Sequence, residues 1–127
     1  MPWVFKAKGD SKDTWNGFKN ERNEIFQFLT ENNIKGVLLM SADRHRSDLW
    51  KIERSDDYAL YEFNSSRLTN QHVHKTMDEA IYSYNAKQSF GTVDFDTKAD
   101  DPKVTYAVHS IDGEQIYKFT VKRSQLE

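Results

Sequence analysis

The chain contains no cysteine, so it forms no disulfide and offers no thiolate to a metal, and its redox compartment stays open. It also lacks any apolar run long enough to cross a bilayer. Its start, Met1-Pro2-Trp3-Val4-Phe5, does not show the basic-then-apolar order of a signal peptide, so no address is read and the localisation is left unassigned. An excess of charge is missing too: 18 Lys plus Arg stand against 20 Asp plus Glu, and the basic residues are scattered instead of forming a stripe. Nucleic acid is therefore a poor first choice of partner. There is no internal repeat, low-complexity tract or interdomain linker, and 127 residues suit one domain, 1–127, around one core.

What is present is one helical period followed by several runs of period two. From Trp15 to Asn32, the residues Phe18, Ile25, Phe26 and Leu29 fall at helical spacing, with Glu21, Glu24 and Gln27 mainly on the other side. Asp13 or Thr14 can cap this amphipathic helix, and Asn32-Asn33 tolerate the left-handed backbone of its end. The Gly9-Asp10-Ser11 stretch before it reads as a turn. Gly36 then leads into Val37–Met40, an apolar run that reads as a buried strand. Leu49–Arg54 and Ala59–Asn64 are short strands joined by the turn Ser55-Asp56-Asp57. Phe90–Asp96 adds another strand. Val104, Tyr106 and Val108 alternate with polar or small residues, as do Tyr117, Phe119 and Val121, and Asp112-Gly113 between these runs predicts a hairpin with a type I′ turn. Arg67 to Gln88 is the least regular stretch, with Met77–Ile81 as one short helix. The pattern predicts an α/β (α+β-like) fold: one amphipathic helix with a mostly antiparallel sheet.

The segment Ser41-Ala42-Asp43-Arg44-His45 follows the apolar run directly, which sets a carboxylate and an imidazole two positions apart at a strand end. The carboxyl ends of strands in α/β sheets present loop residues to a shared crevice, and Asp-x-His can hold metal ions or meet a phosphate. A turn residue and a solvated loop histidine are the plain alternatives. Arg22 lies between Phe18 and Ile25, where a charge must pair or reach outward; a structural salt bridge is the first expectation, a phosphate or carboxylate contact the second. Trp15 and Trp50 read as core or pocket wall. His72-Val73-His74 has the alternation of a ligand pair, but no third ligand can be placed near it, so a surface loop is expected. His109 reads as structural. Asp94, Asp96, Asp100 and Asp101 lack the Gly and terminal Glu of a calcium loop and read as a solvated turn.

Three blocks together suggest a family. Asp13-Thr14-Trp15-Asn16-Gly17-Phe18 with Glu21-Arg22, then Val37 to His45, then Leu60-Tyr61-Glu62-Phe63-Asn64-Ser65-Ser66-Arg67-Leu68-Thr69 resemble the C-terminal third of PhoD-like alkaline phosphatases in order and spacing. Those enzymes show an Asp-Ser/Thr-Trp-x-Gly-aromatic block with a Glu-Arg pair, a Ser-Gly-Asp-x-His at a strand end, and Tyr-Glu-Phe-x-Ser-Ser with Leu-Thr shortly after. The family's Gly is Ala42 here, and a Cβ suits that position only where no positive φ or close approach is needed.

The resemblance implies the C-terminal half of a metallophosphatase β-sandwich, with a metal cluster at strand ends, calcium and iron among the ions, acting on a phosphoester substrate. By that likeness Asp43 and His45 are metal-site residues, while Arg22, Trp15 and Arg44 are candidates for contacting phosphate or supporting the site. No residue is assigned as a catalytic acid, base or nucleophile. The family's earlier motifs, which supply most carboxylate ligands, are expected to lie before Met1, so this portion of a hydrolase is expected to be inactive alone. Completion by another chain, or self-association through an exposed sheet surface, is a second possibility. A small binding domain that keeps the phosphatase scaffold is the alternative. Relatives of this kind are often exported.

Overall fold

The computed structural model describes residues 1–127. Along the chain come β1 (Ala7–Asp10), a 3-10 turn (Trp15–Gly17), α1 (Lys19–Glu31), β2 (Leu39–Ser41), β3 (Ser47–Arg54), β4 (Asp57–Ser65), β5 (Tyr82–Tyr84), β6 (Ser89–Asp96), β7 (Lys103–Ser110), β8 (Gln115–Lys122) and a closing 3-10 turn (Arg123–Gln125). Two sheets form, one in the order β2-β4-β3-β5 and the other β6-β7-β8. All pairings are antiparallel except β2 with β4, which runs parallel. The architecture is α+β, with one helix and two mostly antiparallel sheets, as the periodicities predict. No helix is long and apolar enough to cross a membrane.

Strand β4 organises the interior because both of its faces are covered. Tyr61 and Phe63 point at the second sheet, where Phe63 stacks on Tyr106 at 4.7 Å and Tyr61 meets Phe119 at 5.5 Å. Tyr106 is 1% exposed and its hydroxyl donates to the Asn64 carbonyl at 2.9 Å, locking the two sheets together. Leu49, Leu60, Val108 and Val121 complete the core. Each such side chain, fully buried, contributes about 1.5–3 kcal/mol. The other face of β4 carries Tyr58, Leu60, Glu62 and Asn64; Glu62 meets the N-terminal segment at Trp3, and Tyr58 meets the segment after α1 at Ile34 and Val37.

The helix buries a stripe at Arg22, Phe26 and, in part, Leu29, so the apolar residues Phe18 and Ile25 lie at its margin, 48% and 38% exposed. Thr14 caps the preceding 3-10 turn by accepting from the Asn16 N–H, and Asn33 takes the left-handed backbone after the helix with φ of +51°. Arg22 forms no ion pair. Its guanidinium lies 4.0 Å from the Phe5 ring centre and 4.4 Å from that of Phe26, and its Nε donates to the Trp3 carbonyl at 2.7 Å. Cation–π contact and one carbonyl thus replace the expected salt bridge, because no carboxylate faces it closely enough to pair.

Several local expectations are corrected. The buried strand at Val37–Met40 is the three-residue edge strand β2, in which Leu39 is buried but Met40 is 67% exposed. Met77–Ile81 holds a turn, not a helix, closed by the Ala80 N–H on the Met77 carbonyl. The turn expected at Gly9-Asp10-Ser11 does form, at the end of β1: Gly9 has φ of +56° and the Ser11 N–H bonds back to the Lys8 carbonyl at 3.3 Å. In the last hairpin only Gly113 has positive φ, +80°, and the Gly113 N–H bonds back to Ser110. That is a three-residue loop with a glycine bulge, whose register shift falls between Val108 and His109, in place of a two-residue type I′ turn.

Candidate metal centre

The strand end is fixed first by polar groups from β4. Ser41 Oγ donates to Glu62, while Asn64 Nδ2 donates to Ser41 Oγ at 2.8 Å and to the Ala42 carbonyl at 3.3 Å. Glu62 also accepts from the Trp3 and Val4 N–H groups, each at 3.0 Å. Burial pushes the Glu62 carboxyl pKa up, and these three donors work against that rise. The chain then turns sharply. Asp43 has φ of +77° and His45 φ of +47°, left-handed conformations that are uncommon outside glycine. Ala42 is not among the positive-φ residues, so its methyl is tolerated where the family has glycine. The turn is held by Ser66 at the end of β4, whose Oγ accepts from the Arg44 N–H at 2.8 Å and the His45 N–H at 3.1 Å.

This turn brings His45 to a pair of histidines from the long connection after β4. His45, His72 and His74 each offer a ring nitrogen, and these lie within 4.8 Å of one another. The rings meet edge-on, with centroid separations of 5.7, 5.3 and 5.0 Å and interplanar angles of 82°, 67° and 84°. His45 Nδ1 is 3.1 Å from the His72 carbonyl, which assigns it as the N–H donor and leaves Nε2 with a lone pair. Asn70 Nδ2 sits 3.3 Å from that Nε2. The His74 carbonyl is anchored by Asn85 Nδ2 at 2.9 Å. Burial, the Arg44 guanidinium and the two neighbouring imidazoles hold the His74 pKa down at about 4, so its ring is neutral at ordinary pH.

Two arginines back the cluster. Arg44 donates through Nε to the Ala7 carbonyl at 3.1 Å and through Nη2 to His74 Nδ1 at 3.0 Å, while its Nη1 is buried without a partner. Arg46 donates to the same Ala7 carbonyl at 3.0 Å and to both oxygens of Asp48 at 2.8 and 2.7 Å. Asp48 in turn accepts from Ser83 at 2.6 Å and from Trp50 Nε1 at 3.3 Å, so Trp50 is a buried wall residue. A groove of about 580 Å³ opens beside His74, lined by Lys6, Lys8, Arg44 and Lys75 against Asp10 and Glu79.

The sequence candidates are thus only partly assembled. His45 faces into the cluster; Asp43 is exposed and is not among the residues whose ligand atoms converge with it. Arg22 lines a different groove, with Asn23, Thr30 and Arg54, and Trp15 stacks on Trp3 at 4.4 Å. His72 and His74, expected as a plain surface loop, do lie in a loop but have their third partner in His45. The alternation of the pair was the available signal; what was missing was the long-range contact. His109 stacks on Phe90 at 5.3 Å. Of the four aspartates expected in one solvated turn, Asp94 and Asp96 instead lie in β6, and Asp101 accepts from Ser124 Oγ at 2.7 Å.

A family model described as PhoD-like phosphatase matches residues 4–126. No curated protein and no solved structure matches the chain.

Proposed function

Because the chain belongs to the PhoD-like phosphatase family, we propose that it serves phosphoester hydrolysis as one portion of a metal-dependent centre, with Asp43 and His45 among the ligands. The observation that carries this reading is the left-handed backbone at both residues, φ of +77° and +47°, on one turn clamped by Ser66. Such conformations cost of order 1–3 kcal/mol each and persist where surrounding contacts over-determine them, which is common where side chains must be aimed at a site.

The donors suit a metal in part. His45 Nε2 has a lone pair and its Nδ1–H is held by a carbonyl, the arrangement that orients a ligating imidazole. Imidazole suits iron or zinc; calcium wants six to eight oxygens, and Asp43 is the one carboxylate on this turn, so calcium needs oxygens from further residues. A bound ion would neutralise phosphate charge and lower the pKa of a coordinated nucleophile. The unpartnered Arg44 Nη1 supports a role for Arg44 in meeting phosphate. Arg22 and Trp15 act further back, holding the Trp3 to Ala7 segment on which Arg44 also rests.

Asp43 and His45 are too few to hold a catalytic cluster, so the chain is inactive alone and needs ligands from other sequence. p-Nitrophenyl phosphate turnover with added calcium and iron tests this. The expected result is no turnover by the chain alone and metal-dependent turnover when it is mixed with a polypeptide carrying the family's earlier Asp and Asn motifs. Turnover by the chain alone, abolished by Asp43→Ala or His45→Ala, would overturn the claim of incompleteness. Failure in the mixture as well would overturn the reading itself.

A further inference from the structure

Two separate parts of the chain bring His45, His72 and His74 together, with a ring nitrogen of each within 4.8 Å of the others and Arg44 Nη2 3.0 Å from His74 Nδ1. From their convergence we propose that His45, His72 and His74 bind one transition-metal dication of the zinc class, through a three-imidazole ligand set distinct from the Asp43 and His45 pair. Three protein ligands leave a fourth position for water or an anion, and the basic groove beside His74 opens next to it.

The geometry supports this in four ways. A tetrahedral ion with nitrogens at about 2.0–2.1 Å needs them about 3.4 Å apart, a modest contraction of the present set, which lies within 4.8 Å. Interplanar angles of 67° to 84° keep the rings from stacking face to face and leave ring edges, where the lone pairs lie, open to a shared ion. His45 already carries its proton on the nitrogen bonded to the His72 carbonyl, so the same loop that supplies two ligands sets the tautomer of the third. His72 is exposed and its ring makes no hydrogen bond, so it is free to close onto an ion. Two ligands are under competition: Arg44 Nη2 occupies His74 Nδ1 and Asn70 Nδ2 lies 3.3 Å from His45 Nε2, and both hydrogen bonds are given up on binding. Neither the ion nor the three-histidine set requires that the chain take part in phosphoester hydrolysis.

The test is titration of the metal-free full chain with Co²⁺, read by visible ligand-field absorption, followed by displacement with zinc. The expected result is a four-coordinate spectrum saturating at one ion per chain, with affinity at least about tenfold lower in His72→Ala and in His74→Ala and unchanged within about twofold in His109→Ala. Imidazole nitrogen NMR of the unmodified chain gives a second reading that needs no variant: zinc should shift His45, His72 and His74 and leave His109 unmoved. No binding by the unmodified chain would overturn the proposal. So would loss of binding in Asp43→Asn with retention in both histidine variants, which would assign the ion to the Asp43 and His45 pair and leave the phosphatase reading standing.

Discussion

Removing the hydroxyl of Ser66 should loosen the turn that aims His45, and the cost follows from the two N–H groups it accepts. Arg44 is 3% exposed, so its N–H, now 2.8 Å from Ser66 Oγ, would find no water in Ser66→Ala. A buried donor left unpaired costs about 1–3 kcal/mol. The His45 N–H, at 3.1 Å, belongs to a half-buried residue and recovers much of its loss by hydration. The sum is about 2 kcal/mol, which at a urea dependence of about 2 kcal/mol per molar lowers the unfolding midpoint by about 1 M. Urea unfolding followed by tryptophan fluorescence measures this, and amide exchange at Arg44 and His45 should quicken beyond that of β3. Ser66→Thr keeps the hydroxyl and should recover most of the midpoint. A Ser66→Ala midpoint within about 0.2 M of the parent, where 1 M is expected, would refute the claim that this side chain supports the left-handed turn.

Two further outcomes test the scaffold. A Cβ on Gly91 would lie 2.6 Å from Tyr106 Cε2 and 3.1 Å from Ser65 Cβ, and Tyr106 is pinned between the sheets, so Gly91→Ala should cost about 1–3 kcal/mol and lower the calorimetric melting temperature by several degrees. An unchanged melting temperature would show that the sheets can separate locally. At Asp57, burial opposes ionisation, but Lys35, the Tyr58 N–H, Thr30 and Arg54 together hold the carboxyl down at about 2. A depressed folded pKa contributes stability that is complete above the ordinary 3.8 and is lost as pH falls from there through 2. Asp57→Asn should therefore flatten the pH dependence of the urea midpoint within that window; an equal slope in both proteins would remove Asp57 from the account.

How much was legible from residues alone depended on the range of the interaction. The helix, the β3–β4 hairpin and the β7–β8 hairpin were readable because hydrophobic period and turn residues are local properties. Strand β2 was misread as interior because Val37–Met40 is apolar throughout, yet Val37 and Leu38 lie outside the strand and Met40 points outward. Arg22 was expected to pair with a carboxylate, since nothing in the periodicity reveals that Phe5 and the Trp3 carbonyl fold across it. His45 was found through its motif, whereas His72 and His74 needed the path of an irregular loop, which no pattern encodes. The family resemblance located the turn correctly, while the left-handed backbone at Asp43 and His45 could only be seen in three dimensions.

One carbonyl oxygen, that of Ala7, is shared by the guanidinium groups of Arg44 and Arg46. The opening residues of the chain are therefore mechanically linked to the imidazole cluster, since any displacement of that oxygen is passed to His74 through the single side chain of Arg44. A purification tag fused ahead of Met1 would press on this segment, whose Trp3 and Val4 N–H groups also bond Glu62 of β4, so ion-binding measurements are best made on protein whose handle follows Glu127.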